Sequence, residues 1–375
     1  MVRIMDDNII YWLWFTLKDE VKPKERIAVL EKYKTAKNVF NATDMDGIVN
    51  LSDDAFKSLM DKSLAKAKYV KQKIDSMGGY ILTIDDEKYP ALLRNIYDPP
   101  NVLYCIGQVM DWDKLLTITV VGTREPDEYG VKATEYLSES LSLSGATIVS
   151  GMARGIDSIA GITAVKNGGK TIAVLGSGLD VVYPPEHGDL YQLIRQNGVV
   201  MTEYPPGERP LGSNFPKRNR IMAGLSYGIL VTQAPEKSGA LITASYAIEN
   251  GRDLFAVPSD IFNNNSLGSN KLIKQGAKPV MTAEDIINEY PYIEITPLSE
   301  IKAEKEKRDK LKELDFSSLN DLQIQIVKAL GNESLHIDEL ARITQIPNFE
   351  ISSELIMLEL SGIVRKLNGN IYELL

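Results

Sequence analysis

Residues 115–124 read Leu-Leu-Thr-Ile-Thr-Val-Val-Gly-Thr-Arg, a run of apolar and β-branched residues that ends at Gly122. The run is nearly continuous rather than alternating, which is typical of a strand buried on both faces of a parallel sheet. Glycine at the end of such a strand lets the backbone approach a ligand closely. The stretch therefore predicts a buried strand, Leu115–Val121, that carries Thr123 and Arg124 to one edge of a sheet.

Similar short runs follow this stretch and alternate with helical segments. Amphipathic stretches such as Val131–Leu143 and Ile242–Glu249 separate them. Alternation of strands and helices predicts an α/β fold in which helices cover both faces of a doubly wound sheet. The candidate strands are Leu115–Val121, Thr147–Ser150, Thr171–Leu175, Val199–Thr202, Tyr227–Thr232 and Asp253–Val257.

Glycine-rich loops follow several of the predicted strands. In a doubly wound sheet, ligands bind at the carboxyl ends of the strands, where loops lead into helix N-termini. Backbone amides at those ends favour anions. Each glycine could instead serve only a tight turn, but four such loops on one edge favour an anion site. The loops are Val121–Arg124, Ser150–Asp157, Gly176–Asp180 and Lys237–Ala240.

Two familiar nucleotide-binding patterns are absent from the sequence. After Gly176-x-Gly178, the third glycine of the dinucleotide pattern is missing, since residue 181 is Val181. No G-x-x-x-x-G-K-[ST] pattern occurs either. The sequence therefore argues against ordinary dinucleotide binding and against ATP hydrolysis through a P-loop.

A basic segment follows the fourth candidate strand. Between Gly207 and Arg220 there are four bases and one acid. Phe215 lies among these cations, and an aromatic ring at a basic helix start can stack a base while the cations hold phosphates. Asn214 is expected to cap this helix, with Pro216 in its first turn.

A structural role is the alternative for the same segment. Arg218 and Arg220 would then be ion-pair partners, and Phe215 would be a core residue. For Arg220 alone we favour the ion-pair interpretation. Lys217 and Arg218 are the better candidates for ligand contacts.

Length, composition and net charge limit the classes of protein to which the chain can belong. It has 375 residues, of which 44% are hydrophobic and 25% are charged, and its formal charge is −9. These values are ordinary for a folded protein of about two or three domains, and they exclude disordered, collagen-like and disulfide-rich classes. The acidic total argues against a uniformly basic surface for nucleic acid, but it is compatible with one local basic groove.

Four segments are predicted along the chain. Residues 1–75 have apolar residues at helical spacing and form a small helical domain, in which Ser52 is expected to cap a helix. Residues 76–290 form the sheet domain. Residues 291–315 mix acids and bases with few apolar residues and form a charged linker. Residues 316–375 form a last compact domain.

The last domain shows three helical stretches and then Asn368-Gly369 between two apolar runs, a strong hairpin pattern. Three helices and a terminal hairpin describe a winged helix. Its last helix, Phe349–Leu360, carries three glutamates and no base, and residues 316–375 hold four bases and eight acids. DNA phosphates repel such a helix. We therefore expect this domain to contact protein.

Few residues in the chain are suited to catalysis. His187 and His336 are the only histidines, Cys105 is the only cysteine, and no catalytic-triad or metal-ligand spacing is visible. We expect no catalytic residues, no metal and no cofactor. Asp157 and Asp180 are expected to cap helices or to bond loop amides rather than to work as an acid–base pair.

The cellular compartment of the protein is predicted from its cysteine content, its N-terminal sequence and the length of its apolar runs. A single cysteine is typical of a reducing compartment. The acidic N-terminus lacks the features of a secretory signal, and no apolar run is long enough to span a bilayer. We expect a cytoplasmic protein with no membrane partner.

Between about residues 75 and 285, six ordered motifs resemble the DNA-processing protein A family, also called DprA or Smf. Tyr89-Pro90-x-Leu92-Leu93 ahead of the sheet is also similar to this family. The six motifs are Val121-Gly122-Thr123-Arg124, Ser150-Gly151-x-Ala153-x-Gly155-Ile156-Asp157, Gly176-x-Gly178-x-Asp180-x-x-Tyr183-Pro184, Phe215-Pro216-x-Arg218-Asn219-Arg220-Ile221, Ser238-Gly239-Ala240-Leu241-Ile242-Thr243 and Phe255-Ala256-Val257-Pro258.

The resemblance implies an extended Rossmann-like domain that binds single-stranded DNA, forms a homodimer and helps to load the RecA recombinase in natural transformation. It also implies a small N-terminal helical domain of the SAM or helix-hairpin-helix kind and a C-terminal winged helix. On this sequence, the DNA- and phosphate-binding residues implied are Gly122, Thr123, Arg124, Ser150, Gly151, Ser177, Gly178, Phe215, Lys217, Arg218, Arg220, Ser238 and Gly239.

A second function remains open at this point. Related Rossmann-like sheets serve as sensors or hydrolases of small nucleotides, and the helix start at Ser238 could hold a ribose phosphate. Phe215 together with Lys217 and Arg218 suits a polymer better than a closed pocket. The sequence therefore favours a non-catalytic protein that binds single-stranded DNA.

Overall fold

The strand predicted at the start of the sheet forms as β3 within a nine-stranded sheet of the computed structural model. Along the sheet the order is β1-β2-β6-β5-β4-β3-β7-β8-β9. Strands β3 to β9 pair in parallel, whereas β1 and β2 add at one edge in antiparallel orientation. The strands are β1 (Gly79–Thr83), β2 (Val102–Gly107), β3 (Thr117–Val121), β4 (Thr147–Ser150), β5 (Thr171–Val174), β6 (Val199–Thr202), β7 (Gly228–Val231), β8 (Asp253–Ala256) and β9 (Lys278–Pro279).

The structure describes residues 2–48, 50–300, 316, 319–331 and 334–374, with side chains from residue 8 onward. The chain divides into two units, residues 1–295 and 296–375. Most of the predicted linker 291–315 lies outside the described residues.

All six strands predicted from the sequence are present, and the predicted α/β doubly wound class is confirmed. Successive strands β4, β5 and β6 extend the sheet on one side of β3, and β7, β8 and β9 extend it on the other. The direction of winding therefore reverses at β3 and β7. A crevice opens at the carboxyl ends of the strands at such a switch point.

Helices cover the sheet and lead away from its carboxyl edge. Those of the first unit are α1 (Val2–Thr16), α2 (Pro23–Tyr33), α3 (Ala36–Asn41), α4 (Asp53–Met60), α5 (Ala65–Ser76), α6 (Ala91–Arg94), α7 (Glu128–Leu143), α8 (Ile156–Lys166), α9 (Gly188–Asn197), α10 (Asn214–Leu225), α11 (Gly239–Glu249), α12 (Leu267–Lys274) and α13 (Glu284–Ile287).

Side chains of β3 fix the position of α10. The hydroxyl of Thr117 donates to the carbonyl of Leu225 at 2.7 Å, and that of Thr119 donates to the carbonyl of Met222 at 3.0 Å. Both threonines are buried. The two hydrogen bonds satisfy carbonyls at the end of α10, which have no partner within the helix. The basic segment is therefore held against the centre of the sheet.

The N-terminal helices pack against the sheet and share a core with it. Trp12 is 1% exposed and lies in one apolar cluster with Ile106 of β2 and Val200 of β6. Its indole nitrogen donates to Asp85 at 2.8 Å. Ser52 caps α4 as predicted, since its hydroxyl accepts from the amide of Ala55. Because the core is shared, the division of the first unit at residue 75 stays a prediction.

The second unit has the three helices and terminal hairpin that the sequence predicts. Its three-stranded sheet has the order β10-β12-β11, and β11 and β12 form the hairpin. Gly369 and Asn370 adopt positive φ in the connecting turn. The elements are α14 (Asp321–Leu330), β10 (Leu335–His336), α15 (Ile337–Thr344), α16 (Asn348–Leu360), β11 (Val364–Lys366) and β12 (Ile371–Leu374).

We predict that Trp12→Ala lowers the free energy of unfolding of the first unit by about 3–5 kcal/mol, because it empties a large volume between the helices and the sheet. The measurement is chemical denaturation followed by circular dichroism. Tyr69→Ala is the control, since Tyr69 on α5 is 65% exposed. Equal effects of the two substitutions would contradict the shared core.

Candidate functional site

A groove of about 630 Å³ opens at the switch point, at the carboxyl ends of β3 and β7. The loops after β3, β4, β5, β6 and β7 form its walls together with residues of α10 and α11. Seven residues of the predicted site line it. They are Gly122, Thr123, Arg124, Phe215, Arg218, Ser238 and Gly239.

The loop after β3 is held against its neighbours by backbone contacts. The amide of Thr123 donates to the carbonyl of Gln233 at 2.8 Å, and the Thr123 carbonyl accepts from the amide of Ile156 at 3.1 Å. A Cβ on Gly122 would lie 2.5 Å from the Ile156 side chain. A residue larger than glycine would push these segments apart. The loop thus places Arg124 at the groove with its side chain exposed.

Gly155 is required for the same close approach from the loop after β4. Its φ is +72°, and a Cβ there would lie 2.4 Å from the carbonyl oxygen of Thr123. Other residues avoid this backbone region and would also overlap the loop.

Arg218 is a buried cation beneath the groove. It is 3% exposed, and its guanidinium donates to the carbonyl of Gly151 at 2.8 Å, to the carbonyl of Val174 and to the side chain of Asn219. Burial lowers the pKa of Arg218 to about 10, so the side chain is still charged at neutral pH. The guanidinium ties α10 to the ends of β4 and β5.

Arg218 also has a structural role, so a Lys217/Arg218 double alanine does not test ligand binding alone. Removing Arg218 leaves the carbonyls of Gly151 and Val174 without these donors, and unsatisfied buried groups are costly. Loss of binding in such a variant therefore cannot be separated from loss of folding.

Asp157 supplies a negative charge near this guanidinium. Its carboxylate accepts from the amide of Gly151 at 2.9 Å. Burial raises the pKa of Asp157, and the charges of Arg218 and Arg124 oppose that rise. The expectation that Asp157 bonds a loop amide is confirmed, and the same holds for Asp180, which accepts from the amide of Gly207 at 2.7 Å.

Phe215 forms an aromatic wall of the groove between two cations. The guanidinium carbons of Arg124 and Arg218 lie 5.7 Å and 5.9 Å from the centre of its ring. The ring of Tyr183 lies 5.4 Å away on a tilted plane. Within residues 50–300, Arg124 makes no hydrogen bond or ion pair. Its charge is therefore open to a ligand beside a half-exposed aromatic ring.

The start of α11 adds a second positive region. The hydroxyl of Ser238 accepts from the amide of Ala240 at 3.2 Å and caps the helix. The helix dipole gives this end partial positive charge. Lys237 is exposed, lines the groove and makes no hydrogen bond or ion pair with a residue that the structure describes. The site prediction omitted Lys237, although it begins one of the glycine-rich loops.

Six predicted site residues lie outside the groove wall. Ser150 and Ser177 are at most 1% exposed, and the Ser177 hydroxyl donates to the carbonyl of Val181 at 2.7 Å. Gly151 and Gly178 lie in the same loops and do not line the groove. Lys217 and Arg220 line a neighbouring cleft. Their roles as ligand contacts stay predictions.

Arg220 has the ion-pair geometry that the sequence favoured for it. Its guanidinium lies 3.0 Å from Asp98 and also contacts Glu203. Nearby, Asn214 does not cap α10 as predicted, because the helix begins one residue earlier, after Ser213. The side chain of Asn214 instead donates to the carbonyl of Gly176 at 3.2 Å and bonds α10 to the loop after β5.

The described residues were also searched for other kinds of site. They contain no group of three or more His, Cys, Asp or Glu side chains arranged to hold a metal ion. His187 lies with its Nδ1 3.0 Å from the carbonyl oxygen of Met152. Among the same residues, no helix is both long and apolar enough to cross a bilayer.

Fold and groove together define a class: a Rossmann-like α/β protein with a cationic, aromatic groove at the switch point of its sheet, followed by a winged helix. The chain matches the family model of DNA recombination-mediator protein A over residues 80–291 and that of the DprA winged helix domain over residues 313–370. It belongs to the DprA/Smf family of DNA processing proteins, as its motifs predict.

Curated relatives agree with this assignment. The chain is 44% identical over 210 residues to the DNA processing protein DprA of Streptococcus pneumoniae, which covers 56% of this chain and 74% of that protein. It is 39% identical over 237 residues to DprA of Bacillus subtilis, covering 63% of this chain and 80% of the relative. It is 35% identical over 292 residues to protein Smf of Escherichia coli, covering 77% of this chain and 76% of that protein.

Solved structures of the family share the fold. DNA processing protein A from Streptococcus pneumoniae superposes with a TM-score of 0.61 at 36% identity, covering 76% of this chain and 99% of that one. DNA processing protein A from Helicobacter pylori, whose structure is described by its single-stranded DNA binding mode, superposes with a TM-score of 0.51 at 33% identity. The match covers 56% of this chain and 94% of that one.

We predict that Gly155→Ala lowers the free energy of unfolding by about 2 kcal/mol or more, because the new Cβ meets the Thr123 carbonyl at a positive φ. Gly188→Ala is the matched control, since a Cβ at Gly188 has no atom within 4 Å. It should change stability by less than about 0.5 kcal/mol. Thermal unfolding of both variants measures the difference, and a neutral Gly155→Ala would refute the close contact.

Proposed function

We propose that this protein binds single-stranded DNA in the groove, with little dependence on sequence. The observation that carries the proposal is the position of Phe215 between the guanidinium groups of Arg124 and Arg218. A base can stack on an aromatic ring whatever its identity, and cations beside it hold phosphates. Lys237 and the start of α11 lie on the same groove and offer further contacts for the backbone.

The local charge of the groove supports this proposal despite the acidic total. Arg124 and Lys237 are exposed and without ion pairs among the described residues, while the buried Arg218 adds a third positive charge. Asp157, the acid on the groove wall, is buried and bonded to the amide of Gly151. A single DNA strand bound in the groove would therefore contact cations at the groove surface.

Membership of the family supports a wider cellular role. We propose that the protein protects incoming single-stranded DNA, promotes RecA loading during natural transformation and recombination, works as a cytoplasmic homodimer and performs no catalysis. The Helicobacter pylori relative is described by its single-stranded DNA binding mode, which supports the first step.

A small-nucleotide sensor or hydrolase is the second candidate. It is favoured by the groove volume of about 630 Å³, which falls within the range of small-molecule pockets. The helix start at Ser238 suits a ribose phosphate equally well. Calorimetry with nucleotides beside an oligomer titration distinguishes the candidates. Tight nucleotide binding without oligomer binding would establish the second.

We predict that Arg124→Ala and Phe215→Ala each weaken binding of a dT oligomer by about 1–3 kcal/mol, roughly 5- to 150-fold. Arg124→Ala should also reduce the slope of log K against log salt by about 0.7, the value for one phosphate contact. Fluorescence anisotropy at several salt concentrations measures both quantities.

Arg342→Ala is the matched control for these variants. Arg342 is an exposed arginine on α15 that pairs with Glu339 at 3.2 Å, outside the groove. Its substitution should leave affinity and salt slope unchanged. Wild-type affinity in both Arg124→Ala and Phe215→Ala would refute the groove assignment, provided circular dichroism shows that the variants are folded.

The winged helix is proposed to contact protein rather than DNA. On α16, Phe349, Ile356 and Leu360 are all more than half exposed, at spacings that place them along one side of the helix. Glu350 and Glu359 lie on the same helix, which has no base. Apolar side chains flanked by acids suit a protein surface with basic residues at its rim.

We predict that removal of residues 316–375 changes the affinity for a dT oligomer by less than about twofold, because the cations of the groove belong to the first unit. Anisotropy with the shortened and full chains measures this, and circular dichroism checks that the first unit remains folded. A loss of affinity comparable to that of Arg124→Ala would show instead that the winged helix carries part of the DNA site.

A further inference from the structure

A second cleft of about 370 Å³ lies on the other side of α10 from the groove. On this helix, Phe215 and Arg218 line the groove, whereas Lys217 and Arg220 line the second cleft. The same change of side occurs on α11, where Thr243 lines the groove and Tyr246 lines the cleft. The two cavities are therefore neighbours that share two helices as their common wall.

The second cleft repeats the chemistry of the groove. Lys217 is exposed and makes no hydrogen bond or ion pair with any residue in the described part of the chain. Tyr97 is 89% exposed, an unusual state for a large aromatic side chain, and it lies at this cleft with the half-buried Tyr246. An unpaired cation beside two aromatic rings is an arrangement that holds a phosphate and stacks bases.

The remaining charges of the cleft are already paired. Arg220 contacts both Asp98 and Glu203. Burial raises the pKa of Glu203, and the charge of Arg220 opposes that rise. Arg26 donates its guanidinium hydrogens to three backbone carbonyls, one at the end of α1 and two in the connection between α1 and α2. The cleft is lined by three cations, Arg26, Lys217 and Arg220, and by two acids. With both acids ionised its net charge is +1, which favours an anion.

The N-terminal helices supply the far wall of this cleft through Thr16, Ile27 and Leu30. These residues bring the edge of the helical layer next to the carboxyl side of the sheet, opposite Lys217. The groove alone gives the N-terminal helices no role in binding, since none of its lining residues comes from them.

We propose that the second cleft is a continuation of the DNA site, which takes the nucleotides that follow those held in the groove. The strand crosses α10 at Lys217, which binds a phosphate, and a base stacks on Tyr97 against the wall of the N-terminal helices. This inference rests on the proposed function. It adds that the binding site is longer than the groove and includes the helical layer.

The test is the dependence of affinity on strand length, measured by anisotropy with dT oligomers of about 6 and about 16 nucleotides, the range of site sizes for such proteins. Tyr97→Ala should leave binding of the short oligomer unchanged and weaken binding of the long one roughly tenfold. Tyr97→Phe keeps the ring and should restore long-strand binding. Tyr136→Ala is the matched control, since Tyr136 is a 53% exposed tyrosine on α7.

A second measurement tests the charge of Lys217 rather than the aromatic ring of Tyr97. Lys217→Ala should lower the salt slope for the long oligomer by about 0.7, corresponding to one phosphate contact. Unchanged long-strand affinity in Tyr97→Ala, or an equal loss for short and long oligomers, would overturn the continuation. Failure of the wild-type protein to bind either oligomer would instead refute the proposed function.

Discussion

The buried guanidinium of Arg218 is the interaction on which the site depends. It bonds the carbonyls at the ends of β4 and β5 from the first turns of α10, and so joins three elements that the chain brings together from distant positions. A buried charge is costly unless it is paired and fully hydrogen-bonded, and here Asp157 and the carbonyls offset that cost. Once Arg218 is in place, Phe215 must lie at the groove, next to Arg124.

The glycines of the loops follow from the same constraint. A Cβ on Gly151 would lie 2.3 Å from the Arg218 guanidinium, so only a residue without a side chain leaves room for the guanidinium at this position. Gly122 and Gly155 allow the loops after β3 and β4 to meet behind Arg124. These glycines therefore shape the groove from below. The sequence interpretation assigned Gly122 and Gly151 to phosphate contacts, whereas the structure shows that close packing already requires glycine at both positions.

Much of the fold could be predicted because continuous β-branched runs mark buried parallel strands; all six predicted strands are present. Strands β1, β2 and β9 were missed. Strands β1 and β9 are at the edges of the sheet, whereas β2 pairs with both β1 and β6. All three lie outside residues 115–257, the stretch whose alternation of strands and helices predicted the sheet. The site was predicted less well. Sequence spacing places Lys217 beside Arg218, but the helix turns them to opposite sides, one into a second cleft and one beneath the groove. Burial and helix direction decide such roles, and neither is visible in a motif.

The central claim is that single-stranded DNA lies in the groove against Phe215 and the exposed cations. A crystal structure of the protein with a short dT oligomer tests it most directly. The account predicts a base stacked on the Phe215 ring, with phosphates within hydrogen-bond distance of Arg124 and of the start of α11. A strand bound elsewhere, on the winged helix or on the opposite edge of the sheet, with the groove empty, would contradict the account.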